Sequence, residues 1–284
     1  MEAVEEGYPV PGPALPWCGP CRWLISLDYD GTLRGIGEPG IDPAFFDLMR
    51  DLRPQGVRWG INTGRSLPYL LSDYAPRAPF LPDFICTCER YTYVADETGR
   101  LLPAEEHNAE CRSANLHLRE HLRQPMAEMA DLLHARFPSL SWQFAATDPL
   151  SIEAEDAAAM EVLAPLPEAL AARFPGVAVQ RAGRYLRFCD ARFHKGTALA
   201  YVTRAWGLPP QRLLLMGDAH NDLDAFRSFP GAFCAAPASA HPDVLAWLRA
   251  HGGYISPANG VIETIRTCFV GRKSVLNPGF GLTL

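Results

Sequence analysis

Trp23-Leu24-Ile25-Ser26-Leu27-Asp28-Tyr29-Asp30-Gly31-Thr32-Leu33 divides into an apolar run and an acidic turn. Trp23–Leu27 is short and mostly apolar, which reads as a strand buried in a parallel sheet. Asp28 and Asp30 stand at its carboxyl end. Two residues apart on an extended chain, their side chains return to the same side, and Gly31 lets the chain turn sharply away. One Asp-Gly alone is an ordinary turn signal. This one gains weight because polar residues recur where other apolar runs end. Val57–Asn62 leads into Thr63-Gly64-Arg65-Ser66, and Arg212-Leu213-Leu214-Leu215-Met216 leads into Gly217-Asp218. In open α/β sheets ligands sit outside the carboxyl ends of the strands, so these positions converge on one crevice.

Around these runs the chain alternates strand and helix patterns. Phe45, Phe46, Leu48, Met49 and Leu52 recur at helical spacing, with Asp42 as N-cap and Pro43 at the first helical position. Phe84-Ile85-Cys86-Thr87-Cys88 reads as a third strand, residues 196–206 as a helix, and Ala232-Phe233-Cys234-Ala235 as a further strand. Residues 91–190 differ: two Ala-rich helical stretches at 125–137 and 156–174, and half-exposed alternation at Trp142-Gln143-Phe144 and Tyr185-Leu186-Arg187-Phe188. This pattern predicts an α/β parallel-sheet core, 23–90 and 191–284, interrupted by an inserted α+β domain, 91–190. Residues 1–22, rich in Pro and Gly, read as an extended lead-in.

A length of 284 residues suits two domains or one α/β domain with an insertion. At 48% hydrophobic and 20% charged residues, the chain can bury a sizeable core. Its formal charge of -6 argues against nucleic acid or an anionic membrane as main partner. No apolar stretch approaches the roughly 18 residues that span a bilayer, and the acidic start lacks the pattern of a signal peptide. Eight scattered Cys imply reduced thiols, so a cytoplasmic protein is expected.

Carboxylates clustered in one crevice repel each other unless a cation neutralises them, and hard carboxylate oxygens suit Mg²⁺. Asp28-Tyr29-Asp30-Gly31-Thr32-Leu33 resembles the first motif of the haloacid dehalogenase-like (HAD) superfamily of phosphotransferases. Thr63-Gly64-Arg65 is similar to its second motif, Lys195-Gly196 to its third, and Gly217-Asp218-Ala219-His220-Asn221-Asp222 to its fourth, all in the expected order. The long insertion between Thr63 and Lys195 is similar to that of the type IIB group, with a C2 cap. That group includes sucrose-phosphate and trehalose-phosphate phosphatases and Cof-like sugar phosphatases. The resemblance implies a Rossmann-like core, an inserted C2-type cap and a Mg²⁺-dependent hydrolase of a small phosphorylated metabolite, a sugar phosphate by preference.

The resemblance also implies roles. Asp28 is the nucleophile that forms an aspartyl-phosphate, and Asp30 the acid and base, which requires a raised pKa. Thr63, Gly64 and Asn221 contact phosphate. Lys195 balances the charge of nucleophile and phosphoryl group. Asp28, Asp218 and the Asp30 carbonyl hold Mg²⁺, and Asp222 orients the metal shell or Lys195. In place of the Asn-Gly of many Cof-like members stands Cys88-Glu89-Arg90-Tyr91, closer to the Glu-containing segment of sucrose-phosphatase-like members. Glu89 and Arg90 are therefore candidate substrate contacts, as are Arg184 and Arg187 in the cap. Two or more cap arginines facing the crevice would favour a phosphosugar mutase, which needs a second anion site.

Trp17-Cys18-Gly19-Pro20-Cys21 spells the thioredoxin redox motif, so a dithiol oxidoreductase is a competing class. In thioredoxins the motif opens a helix, whereas here a strand follows directly. A zinc site joining Cys18 and Cys21 to Cys86 and Cys88 is a further possibility. A non-catalytic binding protein on the same fold completes the alternatives.

Overall fold

A computed structural model describes residues 12–35, 37–143, 150–257 and 260–269. Early strands are β1 (Trp23–Leu27), β2 (Val57–Asn62), β3 (Phe84–Thr87), β4 (Tyr91–Ala95) and β5 (Leu101–Pro103). A middle group comprises β6 (Ser141–Gln143), β7 (Ser151–Glu153), β8 (Val177–Ala182) and β9 (Tyr185–Asp190); β10 (Leu213–Met216), β11 (Phe233–Pro237) and β12 (Tyr254–Ser256) follow. Early and late strands form one eight-stranded sheet, β12-β11-β10-β1-β2-β3-β4-β5, while the middle four form a separate sheet, β6-β7-β9-β8. From β12 to β3 every pairing is parallel.

The helices are α1 (Pro43–Leu52), α2 (Leu67–Tyr74), α3 (Glu105–His121), α4 (Arg123–Arg136), α5 (Ala157–Leu163), α6 (Pro165–Ala171), α7 (Lys195–Ala205), α8 (Asp222–Ser228), α9 (Pro242–His251) and α10 (Val261–Phe269). Every residue of β1 is buried, and its side chains divide between two layers. Trp23, Ile25 and Leu27 join a cluster with Phe45 of α1, Leu70 of α2 and Ile265 of α10. Leu24 joins another with Leu199 of α7, Phe226 of α8 and Val244 of α9. Each such side chain contributes about 1.5–3 kcal/mol of burial, so helices on both faces hold the sheet. The inserted sheet carries its own apolar core, from Leu122 to Phe188.

The fold class is as expected, with corrections in detail. The expected insertion start at 91 falls within the large sheet, because β4 and β5 pair antiparallel onto β3. The cause is a left-handed turn, Cys88 at φ 49° and Glu89 at φ 65°, which reverses the chain. The expected helix at 156–174 is two helices, since Pro165 cannot donate an N–H to the turn before it. Residues 12–22 contain neither helix nor strand. They lie against the core, with Arg53 donating to the Pro16 carbonyl at 2.9 Å and the Arg58 guanidinium 3.6 Å from the Trp17 ring centroid. Phe144 and residues 1–11 lie outside the described residues.

Candidate active site

The chain passes from β1 outward to β2 on one side and returns through β10 on the other. The carboxyl ends of β1 and β10 therefore flank the point where strand order reverses, where α/β sheets form a crevice. Asp28 follows β1, and Asp218 stands two residues after the end of β10. Lys195, the first residue of α7 and 1% exposed, donates to Asp28 Oδ1 at 2.6 Å and to Asp222 Oδ1 at 2.7 Å. Asp222 uses its other oxygen to accept from the Asp218 and Ala219 N–H groups, both at 3.0 Å. Thr32 donates to Asp218 Oδ1 at 3.2 Å.

Local sequence fixes this arrangement. His194 caps α7, its Nδ1 accepting from the Gly196 N–H at 3.1 Å, while Asn62 donates to the Lys195 carbonyl at 3.0 Å. Gly31 turns at φ +81°, and a Cβ there would meet Asp218 Oδ2 at 2.4 Å. At Gly217 a Cβ would meet the Asp222 carboxyl carbon at 2.1 Å. Neither approach tolerates a side chain.

Burial, then the neighbouring carboxylates, raise Asp28 well above the usual range, although Lys195 opposes them. Burial and Asp222 push Asp218 up to about 7. Burial would lower Lys195, but Asp222 and Asp28 outweigh it and raise the ammonium's pKa. Asp28, Asp218 and Asp222 oxygens all lie within 4.8 Å of one another. Three carboxylates against one ammonium leave two formal negative charges in a buried space, and all the donors are hard oxygens. This set fits a divalent cation of the Mg²⁺ kind. Asp28 and Asp218 would hold it, since Asp222 is committed to Lys195 and two backbone N–H groups.

Asp30 departs from that cluster. Arg65 grips its carboxylate through two bonds, Nε to Oδ2 at 2.5 Å and Nη2 to Oδ1 at 2.7 Å, and Arg34 adds a third at 3.0 Å. Arg65 is itself paired with Asp73 at 3.3 Å and lies over the Tyr69 and Tyr29 rings.

A cavity of about 800 Å³ opens above this centre between the two sheets, lined by Asp28, Asp30, Thr63, Gly64, Asp218 and Asn221 among others. Of the expected substrate contacts, Glu89, Arg184 and Arg187 line it and Arg90 does not. Arg90 is fully buried beside the Tyr91 ring, because the left-handed turn that faces Glu89 inward sends the next residue away. Arg184 pairs with Glu153 at 2.6 Å, and Arg187 donates to the Gly64 carbonyl at 2.8 Å. Asn221 donates its amide to Glu89 Oε1 at 2.7 Å.

Arg65, Tyr69, Gln180 and Tyr185 also line the cavity, and the sequence reading missed them as site residues. Arg65 was readable, as the third residue of Thr63-Gly64-Arg65. The other three carried no local signal, since tertiary packing alone brings them to the site. Glu161, His220 and His241 form a second cluster of metal-ligating groups, but Arg181 supplies its cation, 2.7 Å from Glu161 Oε1 and 3.0 Å from His220 Nε2.

The dithiol reading finds no support. Cys18 and Cys21 precede a strand, and burial pushes the Cys21 thiol up to about 12, away from the thiolate. Cys18, Cys21, Cys86 and Cys88 do not come together as metal ligands among the described residues. No helix of the described residues is long and apolar enough to cross a membrane.

The family model described as Sucrose-6F-phosphate phosphohydrolase matches residues 21–265. No curated protein matches the chain by sequence similarity. Among solved structures, a sucrose-phosphatase from Synechocystis sp., in complex with sucrose and phosphate, is 21% identical, with 87% of this chain and 97% of that one covered at a TM-score of 0.64. The haloacid dehalogenase-like hydrolase protein yhjK from Bacillus subtilis is 14% identical, with 95% and 98% covered at 0.59. A phosphatase of the haloalkanoate (HAD) superfamily from Bacteroides thetaiotaomicron is 15% identical, with 87% and 94% covered at 0.53. These likenesses bear on the fold.

Proposed function

The chain belongs to the sucrose-6F-phosphate phosphohydrolase family of HAD-like phosphatases, and from this we propose a Mg²⁺-dependent phosphomonoester hydrolase that acts on a sugar phosphate. The observation that carries the chemistry is the buried Asp28–Lys195–Asp222 chain of contacts with Asp218 beside it. We take the cap to be the smaller sheet with the helices that share its apolar core, residues 122–190, set over the catalytic core; the separate sheets and that core support this division. Its eight free thiols suit a reducing cytoplasm.

Asp28 attacks phosphorus, and the acyl phosphate forms as the bond to the leaving oxygen breaks. Asp30, at the rim of the same cavity, exchanges a guanidinium contact for substrate and protonates that oxygen. Water then attacks the acyl phosphate, gives its proton to Asp30, and releases phosphate with Asp28 restored. Lys195 balances charge on the phosphoryl group throughout, and Thr63 and Gly64 bound its pocket. When bound, Mg²⁺ neutralises developing charge on the phosphoryl oxygens. Two arginines face the cavity, the condition set for a mutase, yet Glu153 neutralises Arg184 and the Gly64 carbonyl engages Arg187. That pairing favours hydrolysis over a second phosphate site.

The test is phosphate release from a panel of phosphorylated sugars, nucleotides and small acids, with Mg²⁺ and with EDTA, beside Asp28→Asn. Metal-dependent release that the substitution abolishes is expected. Equal release by the variant, or none from any ester by the native protein, would overturn the reading.

A further inference from the structure

The last turn of α3 reads His117-Leu118-Arg119-Glu120-His121. Residues four apart on a helix lie one above the other on the same face. The two imidazoles meet there, with ring centroids 4.1 Å apart and planes at 43°. Both histidines are exposed. No residue of α3 is among those that line the cavity above Asp28, so the pair lies outside the site already described.

One hydrogen bond fixes which nitrogen of His121 remains. Its Nδ1 lies 3.2 Å from the His117 carbonyl. A carbonyl only accepts, so in the neutral ring Nδ1 carries the proton and Nε2 keeps its lone pair. Histidines that ligate metals hold their second N–H on a backbone carbonyl in this way, which sets tautomer and ring orientation. His117 makes no side-chain hydrogen bond among the described residues, and its ring faces that of His121. With nitrogens about 2.0–2.1 Å from a shared ion, two imidazole centroids stand roughly 4.5–5 Å apart, a small side-chain rotation from the 4.1 Å seen. The unpaired carbonyls of a last helical turn carry partial negative charge and favour a cation. Imidazole suits Cu²⁺, Ni²⁺ and Zn²⁺, whereas Mg²⁺ prefers oxygens such as those of Asp28 and Asp218.

We propose that His117 and His121 form a two-imidazole clamp for a divalent transition-metal ion of the Cu²⁺, Ni²⁺ and Zn²⁺ class, with water in its remaining positions. The clamp does not depend on hydrolysis. Asn108 ties α3 to Thr92 of β4, and Asn115 accepts from the Asp190 N–H of β9 at 3.2 Å. An ion that pins the last turn therefore secures a helix held by both sheets.

The experiment titrates Ni²⁺ into the full chain in excess Mg²⁺, by calorimetry, for the native protein, His117→Ala, His121→Ala and His134→Ala, the last removing a lone exposed imidazole of α4. Losing either clamp histidine is expected to weaken Ni²⁺ binding by about tenfold or more, at least what removal of a group behind a metal ligand costs, while His134→Ala leaves it unchanged. Alanine suits an exposed helical position, so metal-free melts of the variants should match the native protein. Ni²⁺ should then raise the melting temperature of the native protein more than that of His117→Ala. In NMR spectra, substoichiometric Ni²⁺, which is paramagnetic, should broaden the ring C–H signals of His117 and His121 before those of other histidines. Unchanged Ni²⁺ affinity in either clamp variant, or first broadening at His220 and His241, would overturn the clamp.

Discussion

Removing the Lys195 ammonium would leave Asp28 and Asp222, both buried, without the cation that now sits 2.6 and 2.7 Å from them. Breaking a buried pair in this way costs about 3–5 kcal/mol. Lys195→Met is expected to lower stability by that order in urea melts, and to cut phosphate release by about 10³-fold. Retained turnover would remove Lys195 from the chemistry. The raised Asp28 and Asp218 carboxyls give a second expectation. Each holds its proton more tightly in the folded metal-free protein than in the unfolded chain, so their contribution to stability falls as pH rises from about 4 through about 7 for Asp218. A divalent cation needs both groups deprotonated, so its apparent affinity climbs over the same window. Thermal melts between pH 5.5 and 8.5 should show Mg²⁺ stabilising the protein more at the alkaline end; an equal shift throughout would contradict this. At this scale Asp28 and Asp218 were legible because strand ends and their acids lie together in sequence, and Lys195 only through the order of the motifs. The Arg65 grip on Asp30 was not, because Arg34 and Asp73 meet it only in the fold. Nor was the inward Glu89 and outward Arg90, since two left-handed residues without glycine leave no signal.

Between elements, Arg181 near the end of β8 ties the second sheet to the loop that carries Asp218. Its guanidinium meets Glu161, Glu168 and His220, and its carbonyl accepts from the Asn221 N–H at 3.2 Å. His220 and Asn221 follow Asp218 by two and three residues, so these contacts hold the loop that carries it; groups that orient a metal ligand from outside typically change affinity by about 10–100-fold. Arg181→Met is expected to weaken Mg²⁺ binding by about tenfold in calorimetry and to raise KM for the sugar ester. Unchanged Mg²⁺ affinity would show that the seam and the metal loop are independent. Element by element, the strands of the core were readable as apolar runs. α3 was not: its buried face includes Asn108 and Asn115, polar residues that blur the helical stripe. Asn108, though buried, is satisfied by one residue of β4, accepting from the Thr92 N–H and donating to the Thr92 carbonyl. A residue chosen for a hydrogen bond to another element cannot be recognised by hydrophobicity.

For the molecule as a whole, the thioredoxin-like Trp17-Cys18-Gly19-Pro20-Cys21 is a test of motif against context. The redox motif needs a helix amino terminus behind its first thiol, and here β1 begins two residues after Cys21. The native protein is expected to show no fast-reacting dithiol at neutral pH and no insulin-reducing activity; a rapidly titrating Cys21 would overturn this. Sheet order has a different consequence, for the nascent chain. Ile25 of β1 pairs with Trp59 on one flank and with Leu214 on the other. During synthesis the first neighbour emerges early, but the second follows only after the entire cap has left the ribosome. For that interval a mostly apolar strand stands as an open edge, a geometry prone to pairing with other chains. A polypeptide stopped at residue 190 should therefore aggregate, and the full chain should refold slowly and benefit from a chaperone that shields β1 until β10 arrives.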